Sequence, residues 1–326
     1  MLDRYRGKAF FRLGPDTVGV AGAELMDALL RSRPANAEER PTFKPVLGRV
    51  VTRPESSALM RAVGTDVRAA LEKPLGQPDL TGAWPAAPHN YLRDLVFGHE
   101  QRRFRMLLDR RLRLVPKITW SAVAAGAALR GRPAPEVPLS ALARAALEAE
   151  TFQQRRFAMC LYRRVAGPIC FAVAALVTNA LWLSSSEHTG LPTGYVLNEA
   201  ARLLPPAWCL LRGHSPEFAA VDSRIGPADD VLLLPLLSHR DPENWDAPDE
   251  FRPDRWADLD PDAHPGYLPF GHNSERCWGR HLVLPLAERV LDLVRRDGLR
   301  VDPAQIRAKA HLDGLLEISD VRVLRA

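Results

Sequence analysis

Leu268-Pro269-Phe270-Gly271-His272-Asn273-Ser274-Glu275-Arg276-Cys277-Trp278-Gly279-Arg280 runs directly into an apolar stretch, His281 to Val294. The stretch reads as a loop feeding a helix, with a lone cysteine at the junction. There the first backbone N–H groups are unpaired and the helix end is positive, so both stabilise a thiolate. The flanking glycines let backbone come close to a flat ligand. Two blocks precede this loop. Asn198-Glu199-Ala200-Ala201-Arg202-Leu203-Leu204-Pro205-Pro206 reads as the last turns of a helix stopped by two prolines, with Glu199 and Arg202 on one face. His239 to Trp256, with Pro242, Pro248 and Pro253, reads as an irregular segment.

A thiolate held at a helix start suits an axial sulfur ligand to haem iron. In order and spacing the three blocks resemble the ExxR helix, the meander and the Cys loop of the cytochrome P450 family, with Cys277 six residues beyond Gly271 and Gly279 two further on. The resemblance covers roughly residues 195–295. It implies a mainly α fold with a small β region in a shortened form, as one domain over 1–326, holding haem b with Cys277 as the metal ligand. It also implies that Phe270 and Gly271 lie against the proximal haem face and that Gly279 admits the following helix. Glu199, Arg202 and Arg255 match the family's structural charge triad. Arg212 matches an arginine that pairs a haem propionate, and His99 with Arg103 resembles the H-x-x-x-R pair that does so from an earlier helix.

The chain departs from the family pattern in several places. Glu275 stands where a basic residue is usual, so the propionate contact must move, and Arg276 is the neighbouring base that can take it over. Trp278 replaces a smaller apolar residue, which leaves two roles open, proximal packing or indole N–H donation to sulfur. Val173 to Asn179 resembles the oxygen-activating A-G-x-acid-Thr segment, with Ala175 for the glycine and Val177 for the acid. Thr178 keeps the hydroxyl that bonds back to the preceding turn and relays protons, and Asn179 can donate in that network without acting as an acid. Only twenty residues lie between Thr178 and Glu199, and the segment that covers the substrate pocket in relatives is reduced.

Composition fits a globular chain with a sizeable core: 326 residues, 46% hydrophobic and 25% charged. The net charge of +5 comes from arginine clusters without interleaved aromatics, which argues against a nucleic-acid partner. The densest cluster, Arg102 to Lys117, reads as an amphipathic helix with a solvated basic face, or as a dock for an acidic partner. Four cysteines without paired spacing indicate neither a disulfide framework nor a zinc site, as expected in the cytoplasm. No charged-then-apolar leader is expected at the start, and Ile169 to Leu183, interrupted by Asn179, is read as too short to span a bilayer.

Along the chain, Phe10 to Leu13 and Thr17 to Val20 read as a hairpin around Gly14-Pro15-Asp16, followed by a helix Ala23 to Arg31. Further helix is expected from Pro54 to Leu75 and through most of 92–115 and 139–185, around a loop at 131–138. Trp208 to Arg212, Ala219 to Arg224 and Val231 to Leu237 read as short strands. The resemblance implies oxidation of a small biosynthetic intermediate of secondary metabolism, with dioxygen and a separate ferredoxin- or flavodoxin-type electron donor. Two rivals remain: a redox-neutral or otherwise altered haem-thiolate enzyme (isomerase, dehydratase, peroxygenase or coupling activity), and a non-catalytic accessory protein of the same fold.

Overall fold

The computed structural model describes residues 2–32, 46–98, 102–110, 116–129, 140, 142–144, 148–184, 190–271, 276–312 and 314–326. The chain divides into two compact units, each assembled from distant stretches of sequence. The first takes Met1–Glu38, Ala175–Arg280 and Pro303–Val321; the second takes Glu39–Ala174, His281–Asp302 and Arg322–Ala326.

The first unit is built on a four-stranded sheet. The hairpin forms where expected, β1 (Phe10–Gly14) against β2 (Thr17–Val20), and β2 then pairs in parallel with a strand from the last third of the chain (Asp230–Leu233). That strand pairs antiparallel with Leu210–Arg212. Alternation of one strand face places Val18, Val20, Val231 and Leu233 wholly out of solvent, in a core shared with Met26, Leu29, Phe218, Ile225 and Leu268. Position 19, on the other face by alternation, is a glycine because a β-carbon there would come within 2.3 Å of the Phe11 ring. Arg12 donates to both Asp229 oxygens at 2.7 and 2.8 Å, and that guanidinium is the main reason the Asp229 carboxyl is held low. The Ala23–Arg31 helix follows, with Met26, Leu29 and Leu30 on its buried face.

Two of the expected strands change character. The first half of Ala219 to Arg224 belongs to a helix, Pro216–Val221, because Ser215-Pro216 is a helix start and Phe218 then turns into the core. The third stops at Leu233, and Pro235–Ser238 makes a helical turn instead. Short apolar runs carry too few residues to separate a period of two from one of 3.6.

In the second unit the Arg53–Leu71 helix opens with a capping box, Thr52 and Glu55 bonding reciprocally. It ends four residues before the expected Leu75, since Pro74 has no N–H and disfavours helical geometry at Lys73. Arg289, 8% exposed on the Arg280–Arg296 helix, donates to the Leu71 and Pro74 carbonyls and to the Tyr91 hydroxyl. Helix within 92–115 is split into the end of Ala86–Phe97 and Arg102–Leu107. A three-stranded sheet is formed by Gly82–Trp84, Leu299–Val301 and Val321–Arg325.

The longest helix, Phe152–Leu183, starts from a second capping box, Thr151 with Gln154. Its 32 residues are long and apolar enough to cross a membrane, which corrects the expectation from length drawn on Ile169 to Leu183 alone. Yet 83% of its most apolar window is buried inside the protein, the pattern of a core helix.

Candidate functional site

The Thr193–Leu203 helix buries Glu199 and Arg202 completely. Arg202 Nη2 donates to Glu199 Oε1 at 2.7 Å and Nε to Oε2 at 3.0 Å, a fork matched to the carboxylate. Arg255 Nε reaches Oε1 at 3.2 Å, the backbone N–H of Arg252 reaches it at 2.9 Å, and the Trp256 indole donates to Oε2 at 2.9 Å. The other guanidinium N–H groups of Arg202 end on the carbonyls of His239, Pro248 and Glu250. One ion pair therefore fixes the irregular 239–256 segment, whose backbone has little regular structure of its own to satisfy it. Trp245 lies beneath the Arg202 guanidinium, 4.9 Å from its ring centroid.

This segment leads into the cysteine loop. The Leu268 carbonyl accepts from the Gly271 N–H, and Gly271 has φ +76°, a conformation that favours glycine. The Cys277 N–H donates to the Phe270 carbonyl at 2.7 Å, and the Arg280 N–H to the Cys277 carbonyl, so the sulfur sits three residues ahead of the Arg280–Arg296 helix. Cys277 is the exposed cysteine of the four. Burial raises the other three thiols, Cys160, Cys170 and Cys209, and keeps them unreactive. A β-carbon on Gly279 would lie 3.6 Å from the Cys277 sulfur, ordinary contact. The accessible sulfur at a helix start, behind a glycine-shaped turn, is a donor set that fits haem iron.

The other expected residues separate into distinct roles. Arg276 pairs with Asp262, as does Arg280, so its guanidinium is already engaged. The Trp278 indole is 39% exposed and forms no described hydrogen bond to the sulfur. Arg212 ends its strand opposite Val231, half-buried. Arg103, in the second unit, donates from Nη1 to the carbonyls of Gly126 and Leu129 at the end of the Pro116–Ala128 helix. His99 and the stretch from His272 to Glu275 lie outside the described residues.

Thr178 and Val177 are both fully buried on the long helix. Asn179 takes a place the sequence did not suggest. Its Nδ2 donates to the carbonyls of Leu204 at 2.9 Å and Leu316 at 3.1 Å, and its Oδ1 accepts from the Ile318 N–H at 2.9 Å. Both amide protons are committed to backbone, so Asn179 staples this helix to the end of the Thr193–Leu203 helix and to the Lys309–His311/Glu317–Ser319 hairpin. The expected hydrogen-bond donor to an oxygen-activating network is thus bonded to backbone carbonyls instead.

His239 was also not singled out by spacing. It is fully buried, its Nε2 accepts from the Leu268 N–H at 2.8 Å, and Nδ1 then carries the proton donated to the Arg202 carbonyl at 3.1 Å. Burial and the Arg202 charge pull it down to about 3; in the second unit, burial and Arg110 pull His89 down to about 4. Both folded values lie below the unfolded 6.5, so the unfolded chain binds protons first as pH falls. Their contribution is complete above about pH 6.5 and is lost progressively through pH 4 toward 3. Unfolding at pH 5 is expected to take up about two protons, with the urea stability lower than at pH 7 by about 2–4 kcal/mol. A pH-independent midpoint between 5 and 7 would show that these imidazoles are hydrated.

Comparison with known proteins finds similarity over the region that holds these residues. Residues 193–285 match the family model of cytochrome P450. Cyclooctatin synthase of Streptomyces melanosporofaciens is 42% identical over 89 residues, which make up 27% of this chain and 19% of that protein. Thromboxane-A synthase of Macaca fascicularis is 36% identical over 103 residues, 30% of this chain and 19% of its own. The match thus spans about a fifth of the length of these relatives. Among solved structures, a mutant of P450 EryK in complex with erythromycin B superposes with a TM-score of 0.64 at 18% identity, covering 99% of this chain and 95% of that one. The open EryK of S. erythraea gives 0.62 at 17%, covering 100% and 94%. These likenesses show the fold, mainly helical with small sheets.

Proposed function

From membership of the cytochrome P450 family, which the match over residues 193–285 supports, we propose that this chain is a haem-thiolate oxidoreductase of monooxygenase type. Its substrate is a small organic biosynthetic intermediate, and its electrons come from a separate ferredoxin- or flavodoxin-type carrier. The observation that carries the reading is the exposed Cys277 sulfur at the start of the Arg280–Arg296 helix. Haem b supplies the redox chemistry when bound. Cys277 is its ligand, Phe270, Gly271 and Gly279 shape the proximal side, and Arg212 is the residue of the first unit assigned to a propionate. Similarity to cyclooctatin synthase supports a substrate from secondary metabolism.

Thr178 is assigned to hold a proton at its hydroxyl beside the reacting centre. The preceding position is the buried, aliphatic Val177, which can neither take nor pass on a proton. The expected consequence is leakage: with dioxygen, substrate and a ferredoxin–reductase couple, much of the electron flow ends as peroxide. Val177→Asp is expected to raise the product formed per electron at least severalfold. A tightly coupled wild type would show that the proton travels by another route.

The same valine favours one alternative, a redox-neutral rearrangement of an oxygenated substrate, and similarity to thromboxane-A synthase adds to it. Product formation with and without the electron donor tests the proposal. Turnover that needs no donor rejects the monooxygenase reading in favour of the isomerase class.

A further inference from the structure

His239 is the point where the three parts of the candidate site meet. Its ring lies fully buried between two backbone groups, the Arg202 carbonyl near the end of the Thr193–Leu203 helix and the Leu268 N–H at the entrance to the cysteine loop. Its own carbonyl accepts from Arg202 Nη1 at 2.9 Å, so residue and helix hold each other twice. The ring also packs on Tyr267, with centroids 5.4 Å apart, while the Tyr267 hydroxyl donates to the Asn198 carbonyl.

Among the described residues between Leu268 and the cysteine, two backbone bonds continue the link. Pro269 has no N–H to donate, the Leu268 carbonyl holds Gly271, and the Phe270 carbonyl holds the Cys277 N–H. The orientation of the Leu268 peptide is therefore handed along two short backbone links to the residue that bears the sulfur. Hydrogen-bonded neighbours of this sort govern ligand geometry at metal sites, and losing one costs about 10–100-fold in affinity or activity. An ordinary apolar residue would fill the space without setting that orientation.

We propose that His239 is a positioning residue for the Cys277 thiolate: its neutral imidazole, donating at Nδ1 and accepting at Nε2, spaces the Leu268 N–H from the Arg202 carbonyl and so fixes the register in which the sulfur is presented. The proposal rests on the haem-thiolate reading. It explains why a side chain able to both donate and accept occupies a site enclosed by Arg202, Tyr267 and Leu268. Protonation would turn Nε2 into a donor facing the Leu268 N–H and break the link.

The test compares His239→Phe, which keeps the ring volume and loses both bonds, with His239→Gln, which restores one donor and one acceptor. Arg240→Ala is the control, because Arg240 braces the neighbouring Leu203 carbonyl and Asp249 without touching the loop. Two quantities are read in the full haem-loaded chain: amide exchange over Leu268 to Gly271, and the rate at which the reduced carbon monoxide complex loses its thiolate band. His239→Phe is expected to speed both by about tenfold or more. Gln should recover most of the change in band loss, and Arg240→Ala should leave band loss unchanged even where it lowers the melting temperature. Faster exchange with an unchanged band, failure of Gln to rescue, or equal band loss in Arg240→Ala each overturns the positioning role. A wild type with no thiolate band rejects the haem-thiolate reading itself, a result distinct from a normal wild type with an unaffected His239→Phe.

Discussion

Glu199→Ala is expected to give protein that is largely insoluble or unable to retain haem, with any soluble fraction destabilised by about 3–5 kcal/mol. Five donors converge on this carboxylate: two N–H groups of Arg202, one of Arg255, the Arg252 backbone and the Trp256 indole. Truncation leaves the guanidinium of Arg202 fully buried with its counter-charge gone. The loss is large against the total of about 5–15 kcal/mol typical of a folded domain. Arg6→Ala is the contrasting control. Arg6 pairs with Asp249 at the surface, both side chains being over a third exposed, and its loss should cost about 1 kcal/mol or less. Urea denaturation of both variants measures the difference. A Glu199→Ala protein as stable and as haem-loaded as Arg6→Ala would show that the ion pair is hydrated.

Cys277→Ala is expected to abolish the thiolate band of the reduced carbon monoxide complex entirely, whereas alanine at Cys160, Cys170 or Cys209 leaves it in place. The separation follows from exposure and charge. A ligand must reach iron as thiolate; burial holds the other three sulfurs as thiols, and Cys277 is exposed at a helix start. Difference spectroscopy of the four variants reads the outcome directly. A band surviving in Cys277→Ala would transfer the ligand to another residue and remove the central support of the proposed function.

The parts of this molecule legible in the sequence are those written over short distances. Gly14-Pro15-Asp16 marks the hairpin, and Glu199 with Arg202 on one helical face, followed by a proline-rich segment and the Cys277 loop, outlines the site. The partners of Asn179 lie elsewhere in the chain, at Leu204, Leu316 and Ile318, and no spacing rule links them. A buried asparagine on an apolar helix looks equally suited to donating in an active-site network or to pairing with backbone, and only the fold decides. His239 was hidden for the same reason, since its value lies in two backbone groups and backbone groups are the same at every residue. Arg103 matches a known pair by its spacing from His99, while its bonds to the carbonyls of Gly126 and Leu129 are again partners that no spacing rule predicts.

The parallel pairing of β2 with Asp230–Leu233 also has a temporal meaning. Thr17 emerges from the ribosome about two hundred residues before its partner Asp230. At roughly 5–20 residues per second the first hairpin waits some 10–40 seconds with one edge open. During that interval Val18 and Val20, later wholly enclosed, face solvent on a strand with one edge unpaired. Slow codons before residue 230 would lengthen this exposure and faster elongation would shorten it, so the yield of native protein is set partly by the pace of synthesis.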